Sequence, residues 1–482
     1  MTDTEQHSPA TDPALLDALR EHVQGALPTT IADLSALVRL PSVSWSAFDP
    51  ANVRASAEAV AGLARSTGVF GADDVRIVRS AVSGATADVV EGSDGELGQP
   101  AVLAVRPARN GKPTVMLYAH HDVQPQGDDA LWETPPFEPT LRGDRLYGRG
   151  ASDDKAGVMT HIASLRAIHA QFGDDLDLGV VLFVEGEEEF GSRSFRTFLR
   201  EQKEHLAADV IVVADSDNWS TEVPSITVSL RGNVTFKLTL TTLEHASHSG
   251  MFGGAAPDAM IPMVKLLSSL HDDDGSVAVD GLTSYEADVP DRSDDELAKD
   301  AALLEGVRPV GRGPVLSRMW FQPSITVTGM DVPSVANASN TLLPTVSARV
   351  SVRVAPGQPA TEAYAAVERH LRAHVPFGAK LEISEPDAGD GFLVDTAGWA
   401  VQEARTAMAE GWGNQAVEQG IGGSIPFVSD LAAEFPDAQI LVTGVEDPDT
   451  RAHSPNESQH LGVLHRAIAS ETILLARLAT RG

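Results

Sequence analysis

The sequence predicts an α/β protein with a smaller α+β domain inserted into it. From Val115 to Asp215, short apolar runs alternate with amphipathic helical segments, which is typical of a sheet with parallel strands. After about Pro224 the pattern changes to strands of alternating apolar and polar residues, and the strand–helix pattern returns near Thr396. We therefore expect an α/β domain made of residues 1–225 and 390–482, and an inserted domain of residues 226–389.

The helices of the α/β part follow from the spacing of their apolar residues. The first is predicted from Pro13 to about Leu40, where Pro41 ends it, and the second spans Ala51–Thr67. The remaining predicted helices are Ala156–Ala170, Phe195–Leu206, Thr396–Met408 and Leu461–Leu478.

The strands are predicted from short runs rich in Val, Ile and Leu. Those of the α/β part are Val75–Val78, Ala101–Val105, Val115–Tyr118, Leu178–Val184, Val210–Ala214 and Gln439–Val442. In the inserted domain the predicted strands are Ile226–Leu230, Thr235–Thr241, Ile325–Thr328, Val346–Val354 and Lys380–Ile383, with helices at Asp258–Leu270 and Thr361–Leu371.

Composition excludes several classes of function. With 36 basic and 68 acidic residues, the formal net charge is −32, which argues against binding to nucleic acid or to an anionic membrane surface. The chain has no cysteine, so disulfides, thiolate nucleophiles and Cys-ligated metals are excluded. No secretory signal and no apolar run long enough for a membrane span are visible, so we expect a cytoplasmic protein without membrane partners.

Imidazoles and carboxylates follow the ends of the predicted strands. Each such group alone is typical of an ordinary loop or helix cap, but the carboxyl ends of parallel strands meet at one edge of a sheet, where ligands bind. The groups are His120-His121-Asp122, Glu185 with Glu187–Glu189, Asp215 with Asp217, and His453, together with Asp153-Asp154 before a predicted helix.

The three consecutive carboxylates Glu187, Glu188 and Glu189 require cations if they lie in a cleft, because crowded carboxylates repel one another. A set of His, Asp and Glu ligands suits Zn²⁺, Mn²⁺ or Co²⁺. Since there are more carboxylates than one ion requires, we expect two ions, about 3.5–4 Å apart. A remaining glutamate beside them can act as a general base.

Eight motifs occur in order along the chain: AHHDVQP (119–125), Trp132 with PPF (135–137), YGRGASDDK (147–155), EGEEEFGS (185–192), SLRG (229–232), SHSGMFGG (247–254), GGSIP (422–426) and AHSPNE (452–457). With these motifs the chain resembles the M20 metallopeptidases, in the branch of the carnosine-type and related bacterial dipeptidases. The resemblance implies a zinc-peptidase-like catalytic domain with a mostly parallel mixed sheet. It also implies a ferredoxin-like inserted domain that acts as a lid and carries a homodimer interface.

The resemblance also implies a role for each matching residue at the metal centre. His120 and Asp215 would hold one divalent ion, Glu189 and His453 the other, and Asp153 would bridge the two. Asp122 would orient His120. Glu188 would be the general base that takes a proton from a metal-activated water and returns it to the leaving amine. Zinc is the first expectation for both ions, with manganese or cobalt as alternatives.

Further residues would act on the substrate. In the family, His248 would cross to the partner subunit's active site and stabilise the oxyanion. Arg353, Gly423 and Ser424 match positions that hold the substrate's C-terminal carboxylate, a role that suits a guanidinium. Asn340 and Thr341 are further candidates for the substrate pocket.

Some assignments stay open at the level of sequence. Asp217 competes with Asp215 as a ligand, and His121 competes with His120. Relatives often carry a charged residue two positions before the glycines of GGSIP, whereas this chain has Gln419-Gly420-Ile421, which leaves the shape or charge of the substrate pocket open.

The activity that these residues predict is hydrolysis of the amide bond in dipeptides or very short peptides. An amidohydrolase acting on N-acyl or N-carbamoyl amino acids with the same fold is the alternative. A non-catalytic protein that binds metal or peptide is a third possibility, which the intact Glu188 disfavours.

Overall fold

The computed structural model of the protein describes residues 12–82, 96–287, 289–423 and 426–481. Its helices are α1 (Pro13–Val38), α2 (Pro50–Ser66), α3 (Lys155–Phe172), α4 (Phe195–Glu201), α5 (Lys203–Leu206), α6 (Ser249–Phe252), α7 (Met260–Ser268), α8 (Asp294–Asp300), α9 (Val315–Trp320), α10 (Ala360–Ala373), α11 (Trp399–Trp412), α12 (Pro426–Glu434) and α13 (Leu461–Thr480).

The strands are β1 (Val75–Val78), β2 (Ala101–Arg106), β3 (Thr114–His120), β4 (Thr140–Arg142), β5 (Arg145–Tyr147), β6 (Gly179–Glu185), β7 (Val210–Val213), β8 (Ser225–Leu230), β9 (Gly232–Thr241), β10 (Ser247–His248), β11 (Ser324–Asp331), β12 (Thr341–Leu342), β13 (Thr345–Val354), β14 (Lys380–Gly389), β15 (Phe392–Leu393), β16 (Val417–Ile421), β17 (Gln439–Thr443) and β18 (Ser458–His460).

The chain forms two compact units. The first comprises Met1–Thr227, Val394–Glu418 and Asp430–Gly482, and the second comprises Val228–Leu393 and Gln419–Ser429. The sequence pattern placed the short segment Gln419–Ser429 with the first unit, because no composition change marks it. The assignment of residues 1–225 and 390–482 as a catalytic domain, and of 226–389 as a lid, stays a prediction.

A mixed sheet forms the centre of the first unit, as predicted. Strands β6, β3, β7 and β17 are neighbours and run parallel, whereas β1 and β2 pair antiparallel on one side and β8 pairs antiparallel with β17 on the other. Every residue of β6 and β7 is buried, which explains why their sequences are continuous apolar runs. The parallel strands therefore bring their carboxyl ends to one edge of the sheet.

Helices pack against this sheet and against one another. Helix α3 packs against α1 and α13, and α2 packs against β1 and β2. At the start of α3, the buried Lys155 donates hydrogen bonds to the carbonyl oxygens of Leu37 (3.0 Å) and Leu40 (2.8 Å), where α1 ends. Lys155 thus satisfies carbonyl groups that have no partner within α1.

Several local features differ from the predicted elements. The helix expected over Phe195–Leu206 is divided at Gln202 into α4 and α5. A separate three-stranded sheet, of order β18-β5-β4, was not predicted because its strands have only three residues each. None of the helices in the described ranges is long and apolar enough to cross a membrane.

The second unit contains an antiparallel sheet of four strands in the order β11-β13-β9-β14. Along β9 and β13, every second residue is buried and the residues between are half-buried or exposed, which accounts for the amphipathic strand pattern of the sequence. The buried face, which includes Phe236, Leu238 and Val350, forms a hydrophobic cluster with residues of α7 and α10. The unit is thus α+β, while its assignment as ferredoxin-like stays a prediction.

Candidate metal centre

The parallel strands of the first unit deliver most of the predicted ligands. His120 ends β3, Glu188 and Glu189 lie in a short turn after β6, Asp215 follows β7, and His453 lies in the loop after β17. Because these strands are parallel neighbours, their ends place residues from distant parts of the chain side by side.

The carboxylate of Asp153 lies between the two histidines. Its Oδ1 is 3.1 Å from Nε2 of His120, and its Oδ2 is 2.9 Å from Nε2 of His453. Around this carboxylate the other side chains form two groups. Asp215 Oδ1 lies 3.9 Å from His120 Nε2, whereas Glu189 Oε2 lies 3.2 Å from His453 Nε2. The arrangement therefore offers two sets of donor atoms that share one carboxylate.

These donors fit divalent ions. Donor atoms of His120, Asp153 and Glu189 lie within 4.8 Å of one another, as do those of His120, Asp154 and Asp215. Nε2 of His120 is buried and makes no hydrogen bond of good geometry to any residue in the described ranges. Buried polar atoms are rarely left without a partner, so this orphaned nitrogen fits a metal ligand.

The tautomer of His120 also suits this role. Nδ1 lies 3.1 Å from the carbonyl oxygen of Asp122 and 3.4 Å from its Oδ1, and both are acceptors. The proton is therefore placed on Nδ1, and Nε2, which faces the carboxylates, is the nitrogen that a metal ion would bind.

The electrostatics of the centre also favour a bound cation, because its carboxylates are buried and lie close to one another. Burial, with the neighbouring Asp153, raises the pKa of Glu189 to about 7. Burial likewise raises the pKa of Asp215 to about 6, and Asp153 adds to the shift. Burial alone would raise the pKa of Asp153 too, but the adjacent His120 and His453 lower it overall. Hydrogen bonds to Asp153 and Glu189 raise the pKa of His453 to about 11.

Glu188 lies close to His120 but is not one of the grouped metal-donor residues. Its Oε2 lies 3.9 Å from His120 Nε2, and it belongs to neither of the two donor groups described above. Burial raises the pKa of Glu188 well above its usual value. A buried carboxylate with a raised pKa is a stronger base than a solvated one, which suits proton transfer.

Asp122 contacts more of the centre than the sequence indicated. Besides His120, its Oδ1 accepts a hydrogen bond from the backbone N–H of Glu188 (3.1 Å), and its Oδ2 accepts one from that of Glu189 (3.1 Å). One buried carboxylate thus fixes the positions of a histidine and of the turn that carries both glutamates.

His121 and Asp217, the alternative ligands left open by the sequence, lie outside the donor groups. His121 is buried with its Nε2 2.9 Å from the carbonyl oxygen of Pro100, and burial lowers its pKa to about 4. Asp217 hydrogen-bonds to Glu446, and burial raises its pKa to about 6. Neither belongs to the donor groups around His120.

Glu187 anchors the loop that follows the turn. Its carboxylate accepts hydrogen bonds from the backbone N–H of Ser194 (2.8 Å), from the hydroxyl of the same serine and from the backbone N–H of Gln99 (3.2 Å). The three consecutive glutamates therefore have distinct surroundings, and only Glu188 and Glu189 face the histidines.

Sequence reasoning missed two carboxylates near the centre. Glu457 is fully buried and accepts hydrogen bonds from the backbone N–H groups of Gly150 (3.0 Å), Ser152 (3.1 Å) and Asp153 (3.1 Å), as well as from Arg149. It therefore holds the loop that presents Asp153. The motif AHSPNE contained Glu457, but nothing in the sequence indicated backbone partners about 300 residues away.

Asp154 is the second missed carboxylate. Its Oδ2 accepts a hydrogen bond from the backbone N–H of His120 (3.1 Å), while its buried Oδ1 has no partner among the described residues. The adjacent pair Asp153-Asp154 was noted in the sequence, but only Asp153 was assigned a role.

The loop that carries His453 has an unusual backbone. Arg451, His453 and Asn456 all have positive φ angles, of 59°, 61° and 65°. The side chain of Asn456 stabilises this loop, since its Oδ1 accepts a hydrogen bond from the backbone N–H of Glu133 (2.7 Å) and its Nδ2 donates one to Leu131 O (3.1 Å). The surrounding contacts therefore hold His453 in a conformation that a non-glycine residue rarely adopts.

Other predicted residues lie in the second unit. His248 is exposed, and its Nδ1 accepts a hydrogen bond from Gly250 N (3.0 Å) at the start of α6. Strand β10 pairs with β12, so His248 lies opposite Thr341, and Asn340 O accepts a hydrogen bond from Ser249 N (2.9 Å). The structure thus brings His248, Asn340 and Thr341 together.

Arg353 and Gly423, two of the three predicted carboxylate-binding residues, lie in the same unit. Arg353 is a half-buried residue of β13, and Gly423 follows β16. Ser424 lies outside the described residues.

A sequence model of the peptidase family M20/M25/M40 matches residues 116–477. The chain belongs to this peptidase family. Among the relatives of this M20 chain is the cysteinylglycine-S-conjugate dipeptidase of Corynebacterium striatum, which is 35% identical over 382 residues that cover 78% of this chain and 83% of that enzyme.

Two solved structures share the fold of this M20 chain. The dipeptidase Dug1p of Saccharomyces cerevisiae aligns with a TM-score of 0.75 at 21% identity, covering 96% of this chain and 98% of the yeast chain. Human carnosine dipeptidase 1 aligns with a TM-score of 0.74 at 23% identity, covering 97% of this chain and 99% of the human chain. The prediction of an M20 fold is thereby confirmed.

Proposed function

We propose that this M20 peptidase is a metal-dependent dipeptidase. The observation that carries the proposal is the Asp153 carboxylate between His120 and His453, with Asp215 and Glu189 completing two donor sets. The name of the Corynebacterium relative, a dipeptidase, supports dipeptides as the substrate class. It does not favour the alternative of an N-acyl or N-carbamoyl amidohydrolase.

Each residue would have the role at the metal centre that the family resemblance implies. His120 and Asp215 would hold one ion, Glu189 and His453 the other, and Asp153 both. Two bound divalent ions, zinc first and manganese or cobalt as alternatives, would polarise the scissile carbonyl and lower the pKa of a water. Asp122 would keep His120 in the tautomer that ligation requires, through the contacts at Nδ1.

Glu188 would move the proton. Its carboxylate lies near His120 Nε2 without belonging to either donor group. Because burial raises its pKa, Glu188 would be a stronger base than a solvated carboxylate, and it would accept a proton from the attacking water and return it to the leaving amine. The backbone contacts from Asp122 hold Glu188 at this position.

The residues of the second unit would bind the substrate. Arg353, Gly423 and Ser424 would hold its C-terminal carboxylate, with Asn340 and Thr341 completing the pocket. His248 would stabilise the oxyanion in the partner subunit of a homodimer. The exposure of His248 supports a role outside its own unit's core.

The experiment is a panel of dipeptides and N-acetyl amino acids, run on metal-stripped protein restored with Zn²⁺, Mn²⁺ or Co²⁺. We expect hydrolysis of dipeptides that depends on added metal and far exceeds hydrolysis of N-acetyl amino acids. Preferential hydrolysis of the N-acetyl substrates would support the amidohydrolase instead. Full metal binding without turnover of either class would support a non-catalytic binding protein.

A further inference from the structure

Arg231, in the loop between β8 and β9, is held rigidly within the second unit. Its Nε donates a hydrogen bond to the carbonyl oxygen of Gly422 (2.8 Å). Its Nη1 donates to the carbonyl oxygen of Gln322 (3.2 Å) and to Oγ of Ser324 (3.3 Å). Three contacts from two nitrogens fix the plane of the guanidinium and leave Nη2 without a hydrogen bond to the described residues.

The guanidinium of Arg231 packs against Gly422. A Cβ atom at position 422 would lie 3.0 Å from Nη2 of Arg231 and 3.0 Å from the carbonyl oxygen of Met319. Position 422 therefore needs a glycine if the guanidinium is to stay in place. The next residue is Gly423, one of the predicted carboxylate-binding positions.

A second guanidinium is close by. Arg353 lies directly opposite Ser324 in the antiparallel pairing of β11 with β13, and Ser324 is a hydrogen-bond partner of Arg231. Burial and the positive charge of Arg353 lower the pKa of Arg231 to about 10, so both groups are cationic at neutral pH. Two positive charges at short range repel each other unless an anion lies between or beside them.

No carboxylate in the described part of the chain forms an ion pair with Arg231. This is unusual in a protein with almost twice as many acidic as basic residues, 68 against 36. A half-buried arginine with fixed orientation and an available Nη2 has the properties of a binding site for an external anion.

We propose that Arg231 is a second arginine of the substrate site, which uses Nη2 to contact the C-terminal carboxylate that Arg353 would also bind. The inference rests on the proposed function, in which the substrate is a dipeptide with a free C-terminus. Two guanidiniums at this end of the substrate would make a free carboxylate a strict requirement and would reject a neutral terminus.

The test compares L-cysteinylglycine with its C-terminal amide. For Arg231→Met we expect kcat/KM on the free acid to fall about 10- to 100-fold, mainly through KM, because a hydrogen bond to a charged group is lost. Activity on the amide should stay at its low wild-type level. Arg231→Lys should recover part of the loss, because it restores the charge but not the fork of donors.

Two further variants separate binding from folding. Gly422→Ala should displace the guanidinium without removing it and should reproduce the selective loss on the free acid. Arg349→Met is the matched control, since Arg349 lies on the same strand as Arg353 but pairs with Glu385, and it should leave both substrates unaffected. Equal losses on acid and amide in Arg231→Met, or no loss on either, would overturn the inference.

Calorimetric titration of the metal-free chain with L-cysteinylglycine distinguishes this inference from the proposed function. Binding that Arg231→Met weakens, in a wild type that hydrolyses no dipeptide, would reject the proposed function and retain the anion site. Hydrolysis by the wild type with binding that is insensitive to Arg231→Met would retain the function and reject the role of Arg231. Absence of binding to the wild type would reject the anion site.

Discussion

At the scale of single residues, neighbouring side chains of the same type have different tasks. Glu187, Glu188 and Glu189 are consecutive, yet the first accepts hydrogen bonds from Ser194 and Gln99, and only the other two face the histidines. The surroundings of each carboxylate, rather than its type, determine its chemistry.

Glu188→Gln tests the proposed general base. The amide has nearly the same shape but cannot take a proton, so we expect kcat to fall by about 10²–10⁴-fold while both ions stay bound. Steady-state kinetics together with metal analysis by mass spectrometry would check this. Glu138→Gln, a change at an exposed carboxylate of the same unit, should retain full activity. Undiminished turnover by Glu188→Gln would remove Glu188 from the mechanism.

Asp122→Asn tests the residue that positions the centre. Both oxygens of Asp122 accept backbone hydrogen bonds. In the asparagine variant the side-chain NH₂ group replaces one of these oxygens, so two hydrogen-bond donors face each other. We expect metal affinity to fall about 10- to 100-fold, as is typical when a partner of a ligand is changed. Competition with a chelator of known affinity would measure the change.

The control for this variant is Asp49→Asn at the start of α2. Asp49 caps the helix by accepting a hydrogen bond from Ala51 N (2.9 Å), and asparagine caps helices equally well. Metal affinity should be unchanged. A wild-type affinity in Asp122→Asn as well would show that the ligands hold their positions without Asp122.

At the scale of elements, the loop from Gly150 to Asp153 depends on a residue distant in sequence. Glu457 accepts hydrogen bonds from three backbone N–H groups of this loop and pairs with the buried Arg149. Arg149 in turn lies over the ring of Trp132, 5.5 Å from its centroid. The segment after His453 thereby supports the carboxylate that His453 contacts.

Glu457→Gln is expected to destabilise the protein by about 3 kcal/mol or more, because it leaves the charge of Arg149 buried and unpaired. Urea denaturation of the metal-free protein would measure the free energy of unfolding. Glu434→Gln, which removes only the pair with the exposed Lys203, should change it by less than about 1 kcal/mol. Equal stability of the two variants would contradict the supporting role of Glu457.

Much of this element-level organisation was predictable, and the reasons for the exceptions are physical. His120 and Asp215 were placed correctly at the carboxyl ends of β3 and β7, and His453 in the loop after β17, because apolar runs mark buried strands and parallel strands share an edge. Glu457 and Lys155 were not assigned a role, because their partners are backbone groups in other segments. Sequence patterns report side-chain periodicity and carry no signal for such long-range backbone contacts.

At the scale of the whole molecule, the protein carries an excess of negative charge, and its candidate metal centre is also rich in carboxylates. Glu189 and Asp215 have pKa values raised to about 7 and about 6 by burial, so both take up protons as the pH falls below neutrality. A protonated carboxyl group is a poor metal ligand, and protons and metal therefore compete.

Metal affinity should thus decrease at least 10-fold when the pH is lowered from 8 to 5.5. Isothermal titration or chelator competition at several pH values would measure it, and the metal-induced rise in melting temperature should decrease in parallel. In Asp215→Asn the overall affinity should be lower and its pH dependence shallower. An affinity that is constant from pH 8 to 5.5 would contradict the assignment of these carboxylates as ligands.

The proposed homodimer makes a prediction about mixed subunits. If His248 acts on the partner's centre, a dimer of one His248→Ala subunit and one Glu188→Gln subunit has one centre with both defects and one with neither. Random mixing of the two inactive variants should restore about a quarter of wild-type activity, since half of the dimers are mixed. Mixtures that stay inactive after verified subunit exchange would place His248 outside the partner's centre.

The contacts of Glu457 also set an order of events during synthesis of the chain. When translation has reached Val394, His120, Asp153, Glu189 and Asp215 are all present, but β17, His453 and Glu457 have not yet been translated. The backbone N–H groups of Gly150, Ser152 and Asp153 then lack their acceptor, and the sheet lacks a parallel strand. A nascent chain therefore has neither His453 nor the acceptor that holds the Asp153 loop until residues 439–457 have been translated, so the complete centre forms only after that point.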